Sequence, residues 1–74
     1  MPQRRQPQLF DIVAVLNSAG QSDVEVGDVG TVVEILPPDG FEVEFLDRDG
    51  RTRCVVTLSR NDVLVLNRER TRVA

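Results

Sequence analysis

The sequence predicts an all-β fold: a small SH3-like barrel of about five antiparallel strands with flexible arms at both ends. Three observations carry this expectation. The chain holds five short apolar runs, none long enough for a packed helix. Turn-forming clusters separate them, above all Gly27-Asp28, Pro37-Pro38-Asp39-Gly40 and Asp47-Arg48-Asp49-Gly50. At 74 residues the chain makes one domain, whose short strands must bury their apolar faces against each other.

The elements follow in order. Residues 1–8 carry two prolines, three glutamines and two arginines and offer nothing to a core, so they read as a flexible arm. The barrel is expected over residues 9–66. Leu9 to Leu16 is the first strand, apolar on both faces, so its orientation stays open. Asn17 to Asp23 is a polar loop, and Gly27-Asp28 turns the chain into a second strand, Val29 to Leu36. There Glu34 marks one face as outward and assigns Val29, Thr31, Val33 and Ile35 to the core. Gly30 signals a bend or a close backbone approach.

Pro37-Pro38-Asp39-Gly40 predicts a type I turn with Gly40 in the left-handed region, pairing Ile35 with Val43 and Val33 with Phe45. The third strand, Phe41 to Leu46, alternates cleanly, with Phe41, Val43 and Phe45 inward and Glu42 and Glu44 outward. For the next hairpin, a two-residue Asp49-Gly50 turn sets Arg48 against Arg51, so a four-residue turn pairing Glu44 with Arg53 is preferred. Arg51 to Leu58 is the fourth strand, with Thr52, Cys54, Val56 and Leu58 facing the core. Ser59 to Asp62 suits one turn of 3₁₀ helix. Val63 to Leu66 is the last strand, and 67–74 is a flexible basic tail. The expected core centre is Val29, Val33, Ile35, Phe41, Val43, Phe45, Val56 and Leu58.

These residues also carry a resemblance. Leu9 to Leu16, Val24 to Leu36 with its Gly27-Asp28-Val29-Gly30-Thr31-Val32-Val33 run, Gly40 to Thr52 and Val56 to Val63 together resemble a family of short bacterial proteins. That family is known as domain of unknown function four-nine-two-six. The resemblance spans about Leu9 to Val65 and implies an SH3-like barrel without an established activity. The Gly-Asp-x-Gly-x-Val run is also similar to KOW motifs, although basic residues are missing there.

Composition narrows function by exclusion. The chain has no histidine, lysine, tyrosine or tryptophan, so acid–base catalysis would rest on carboxylates or on Cys54, which lies on the predicted core face. No enzyme activity, cofactor or small-molecule substrate is expected. Asp47 to Thr52 is too short for a calcium loop and lacks its distal glutamate, so no metal is expected. Proline-peptide grooves and single-strand platforms need exposed aromatic rings, and only Phe10, Phe41 and Phe45 are available. A lone cysteine, no signal peptide and no 20-residue apolar run point to the cytoplasm, without membrane association.

Net charge is −3, unevenly placed. Between Leu9 and Leu66 eleven carboxylates face four arginines, while Arg4, Arg5, Arg68, Arg70 and Arg72 lie in the arms. The expected function is a non-catalytic protein-binding module, acting as the small acidic partner in a complex, in the manner of an antitoxin or assembly subunit, or by self-association. The alternative is an accessory domain touching nucleic acid through the arginine arms, which a steep salt dependence would reveal. In the expected register Val32, Leu36, Leu46 and Val55 form an outward apolar patch, and Glu42 and Glu44 orient a basic partner.

Overall fold

The structure, a computed structural model, describes residues 6–67. Five strands follow in order: β1 (Ile12–Val15), β2 (Val29–Leu36), β3 (Gly40–Leu46), β4 (Thr52–Ser59) and β5 (Val63–Asn67). One 3₁₀ turn, Arg60–Asp62, precedes β5. All neighbours are antiparallel, in the sheet order β4-β3-β2-β1-β5.

No helix among the described residues covers this sheet. A flat sheet of five strands would therefore leave both faces wet. Instead Val13, Val15, Val32, Phe41, Val43, Phe45, Val56, Leu58 and Val63 contribute to one buried cluster from all five strands. The sheet must curl on itself to enclose them. Val24, from the loop before β2, closes the cluster.

β1 is shorter than expected because Leu9 and Phe10 lie in a turn, with Phe10 at φ 69°. Asp11 sets that turn: its N–H donates to the Gln8 carbonyl, and its Oδ2 accepts from the Gln8 N–H at 2.8 Å. The expected arm over 1–8 is described from Gln6 onward. There Pro7 is buried, and the Arg60 guanidinium donates to Gln6 Oε1 at 3.1 Å. Gly27-Asp28 turns as expected. The Gly27 N–H reaches the Val15 carbonyl, the Val15 N–H reaches the Asp28 carbonyl, and Gly27 sits at φ 97°.

β2 overturns part of the core assignment. Val32 pairs with Val43 and Glu34 with Glu42, so Val33 is an extra residue in a β-bulge. The bulge switches the strand's facing along its length. Gly30 and Val32 point inward, Val29 is 53% exposed, Val33 is half-buried, and Ile35, near the hairpin tip, is exposed. Val29, Val33 and Ile35 therefore do not form the core centre, whereas Phe41, Val43, Phe45, Val56 and Leu58 do. The hairpin also differs in register. Leu36 pairs with Gly40 and Ile35 with Phe41, leaving Pro37, Pro38 and Asp39 in the loop. Gly40 is not in the left-handed region, and the Pro37–Pro38 bond is cis.

The left-handed bulged turn occurs instead in the next hairpin. The Gly50 N–H donates to the Asp47 carbonyl, the Asp47 N–H donates to the Arg51 carbonyl, and Gly50 has φ 85°. Leu46 pairs with Thr52. A shift then sets Phe45 opposite Cys54 and Glu44 opposite Val55, so the expected Glu44–Arg53 pair does not form. Ser59 to Asp62 makes the expected 3₁₀ turn. The Asp62 carboxylate accepts from both the Ser59 N–H and its hydroxyl at 2.9 Å.

Candidate functional site on the outer sheet face

The outer face of the curled sheet is built in rows, because residues directly opposite in an antiparallel ladder share a face. In the first row Val29 pairs with Ala14 and Ala14 with Leu64. Thr31 pairs with Glu44, and continuing that register by two residues sets Val29 beside Leu46. Both of these line one open cleft with Ser22, Asp23, Glu25, Asp28 and Arg53. The first row is thus Leu46, Val29, Ala14, Leu64, apolar across four strands. Leu46 is 53% and Leu64 36% exposed. The second row is Val55, Glu44, Thr31, Ile12, with Val55 48% exposed. The third is Thr57, Glu42, Glu34. The face grades from apolar at one end to acidic at the other.

Five of the six residues expected from sequence lie on this face. Leu46, Val55, Glu42 and Glu44 cluster on β3 and β4, and Leu36 lies half-buried beyond Glu34, opposite Gly40. Val32 does not belong. It is 0% exposed, inside the core, because the bulge at Val33 separates its facing from that of Glu34. The expected register, which set Val33 beside Phe45 and Glu44 beside Arg53, is replaced by the rows above.

Two threonines of β4 position the carboxylates. The Thr57 hydroxyl donates to Glu42 Oε2 at 2.9 Å, and the Thr52 hydroxyl donates to Glu44 Oε2. Both glutamates are drawn across β4 rather than toward β2. Sequence reading missed these contacts because they depend on a register it placed differently. It also missed Val29, which strict alternation with Glu34 sent inward, and Ala14 and Leu64, whose strand pairings it did not assign.

Arg53 serves the loop and not the glutamates. At the shift in β4 its guanidinium donates to the Asp23 carbonyl, lies 3.4 Å from Asp28 Oδ2 and stands 5.8 Å from the centre of the Phe45 ring. It ties the loop carrying Val24 over the end of the core. Cys54 is half-buried against the core, with Sγ 4.0 Å from the Asp23 carbonyl. Among the described residues no three Cys, Asp or Glu side chains are grouped to hold a metal ion. None of their helices is long and apolar enough to cross a membrane.

The family model for a domain of unknown function, DUF4926, matches residues 9–65. The chain belongs to this family. The match spans all but the last residues of the five-stranded sheet, so the outer face just described is a feature of a DUF4926 domain. No curated protein and no solved structure matches the chain.

Proposed function

We propose that this DUF4926 chain is a non-catalytic protein-binding module of the cytoplasm, acting as the small acidic partner of a basic protein. The observation that carries the reading is the graded outer face. The apolar row of Leu46, Val29, Ala14 and Leu64 borders the row of Glu44, with Glu42 and Glu34 one row beyond. An apolar stripe rimmed by charge supplies burial at its centre and orientation at its edge. The surplus of carboxylates over residues 9–66 favours a partner of opposite sign.

The test is the double change Leu46→Ser with Val55→Ser, read by thermal melting and by affinity capture from extracts of the source cells. Both side chains are about half exposed, so the melt should stay near that of the parent protein. A partner captured by the parent and lost by the folded double variant supports the reading. Equal capture by both proteins moves the binding surface elsewhere.

A further inference from the structure

We propose that the free edge of β4 binds an extended basic segment of the partner by strand addition, so that the segment becomes a sixth strand beside β4. The inference rests on the protein-binding reading above and specifies how the partner is held.

Among the described residues β4 ends the sheet and has β3 as its only hydrogen-bonded neighbour. Among the described residues its backbone makes no hydrogen bond beyond that ladder, except at Ser59, whose N–H donates to Asp62. A strand edge presents a row of N–H and C=O groups, and proteins normally blunt it with lysine, proline, a bulge or a covering loop. Among the described residues β4 has such protection only at its start, where Arg53 and the register shift lie. From Cys54 to Leu58 the strand is uncharged, has no proline and keeps one unbroken register with β3. It is also rich in β-branched side chains, which suit a pairing strand.

Charge selects the occupant. Thr57 and Thr52 draw the Glu42 and Glu44 carboxylates toward β4, the strand that carries the free edge. A strand added about 4.8 Å beyond β4 brings its outward lysine or arginine side chains within reach of these carboxylates. An apolar side chain on the same strand can pack against Val55. A second copy of this chain is the poorer occupant, because its own surplus of carboxylates over residues 9–66 would be brought alongside.

The experiment uses the full chain and a short synthetic peptide of alternating lysine and valine, with amide hydrogen exchange resolved along β4. At ten times its Kd the peptide should slow exchange of alternate β4 amides, those facing the free edge, by about tenfold. The same peptide N-methylated at every other residue, in either of two phases, keeps its side chains but loses the hydrogen bonds of one edge. One phase should bind like the parent peptide and the other should not. Equal binding by both phases, without protection of β4, overturns strand addition while leaving a basic partner on the outer face. No binding at low salt overturns both. Protection of the edge amides without peptide assigns the edge to a second copy if it grows with protein concentration, and to the chain itself if it does not. Either result overturns the proposal.

Discussion

Gly30→Ala tests the bend on which the curled sheet depends. A Cβ at Gly30 would lie 2.7 Å from the Glu44 carbonyl oxygen, 2.8 Å from Phe45 Cε1 and 2.8 Å from Val43 Cγ1. The last two atoms belong to side chains that are themselves fully buried, and the first belongs to the β2–β3 pairing region. Relief therefore requires the strands to part. Overpacking of this kind costs about 1–3 kcal/mol. The lower entropy of an unfolded chain with alanine returns about 0.4–1 kcal/mol. The net loss is about 1.3 kcal/mol at mid-range, which for a domain of this size lowers Tm by roughly 5–10 °C. Urea and thermal unfolding measure it, with Gly20 as the comparison site. Gly20 sits at φ +79° with nothing within 4 Å, so alanine there is strained but not crowded. Passing from alanine to leucine should raise the cost steeply at position 30 and leave it level at position 20. A Gly30→Leu protein as stable as Gly30→Ala would refute the close approach, and with it the inward facing of this half of β2.

Phe45 is fully buried, and Phe45→Ala should cost about 3–5 kcal/mol, enough to unfold much of a domain this small; near-normal urea stability would refute its central place. Arg53→Met removes the cation over Phe45 and the ties to Asp23 and Asp28, for a loss of about 1 kcal/mol. Its signature is local, with faster amide exchange over residues 18–28 and an unchanged β1–β5 pair, and uniform acceleration would contradict the tie. Cys54, half-buried beside Asp23, should label slowly with a thiol reagent in the native protein and faster in Arg53→Met; labelling as fast as in urea would place it on the surface.

The strands and turns were legible in the sequence wherever one residue type has one use. Phe41, Val43 and Phe45 alternate with two glutamates, and all three are buried. Gly27-Asp28 and the 3₁₀ turn at Arg60–Asp62 fall at their expected places. β2 was less legible because two of its residues give opposite instructions under strict alternation. Glu34 must face water, which sends Val32 outward. Gly30 packs against the ring of Phe45, a close approach that turns its face inward and sends Val32 inward with it. Only an extra residue between Val32 and Glu34 satisfies both, and the bulge at Val33 is that residue. A sequence with two valines in succession does not announce which one is unpaired.

The second hairpin shows how a sound local argument misplaces a site. Arg48 against Arg51 is unfavourable, and the chain avoids it, but not by the four-residue turn that the like charges suggest. Asp47 opens a three-residue turn: its carboxylate accepts from the Asp49 and Arg51 N–H groups, and Gly50 closes it in the left-handed region. A shift between Phe45 and Leu46 then restores, from Cys54 onward, the register that the repulsion had excluded. The consequence for the surface is large. Moving β4 by two residues takes Arg53 away from Glu44 and puts Val55 there. The glutamates lose a neutralising cation and gain threonine hydroxyls, which orient a carboxylate without cancelling its charge. Arg53, released from the glutamates, takes Asp28 as its ion-pair partner across the loop. An outer face that a salt bridge would have closed is left acidic beside an open strand edge, and that pairing of charge with unpaired backbone is the ground on which β4 is proposed to bind a basic strand.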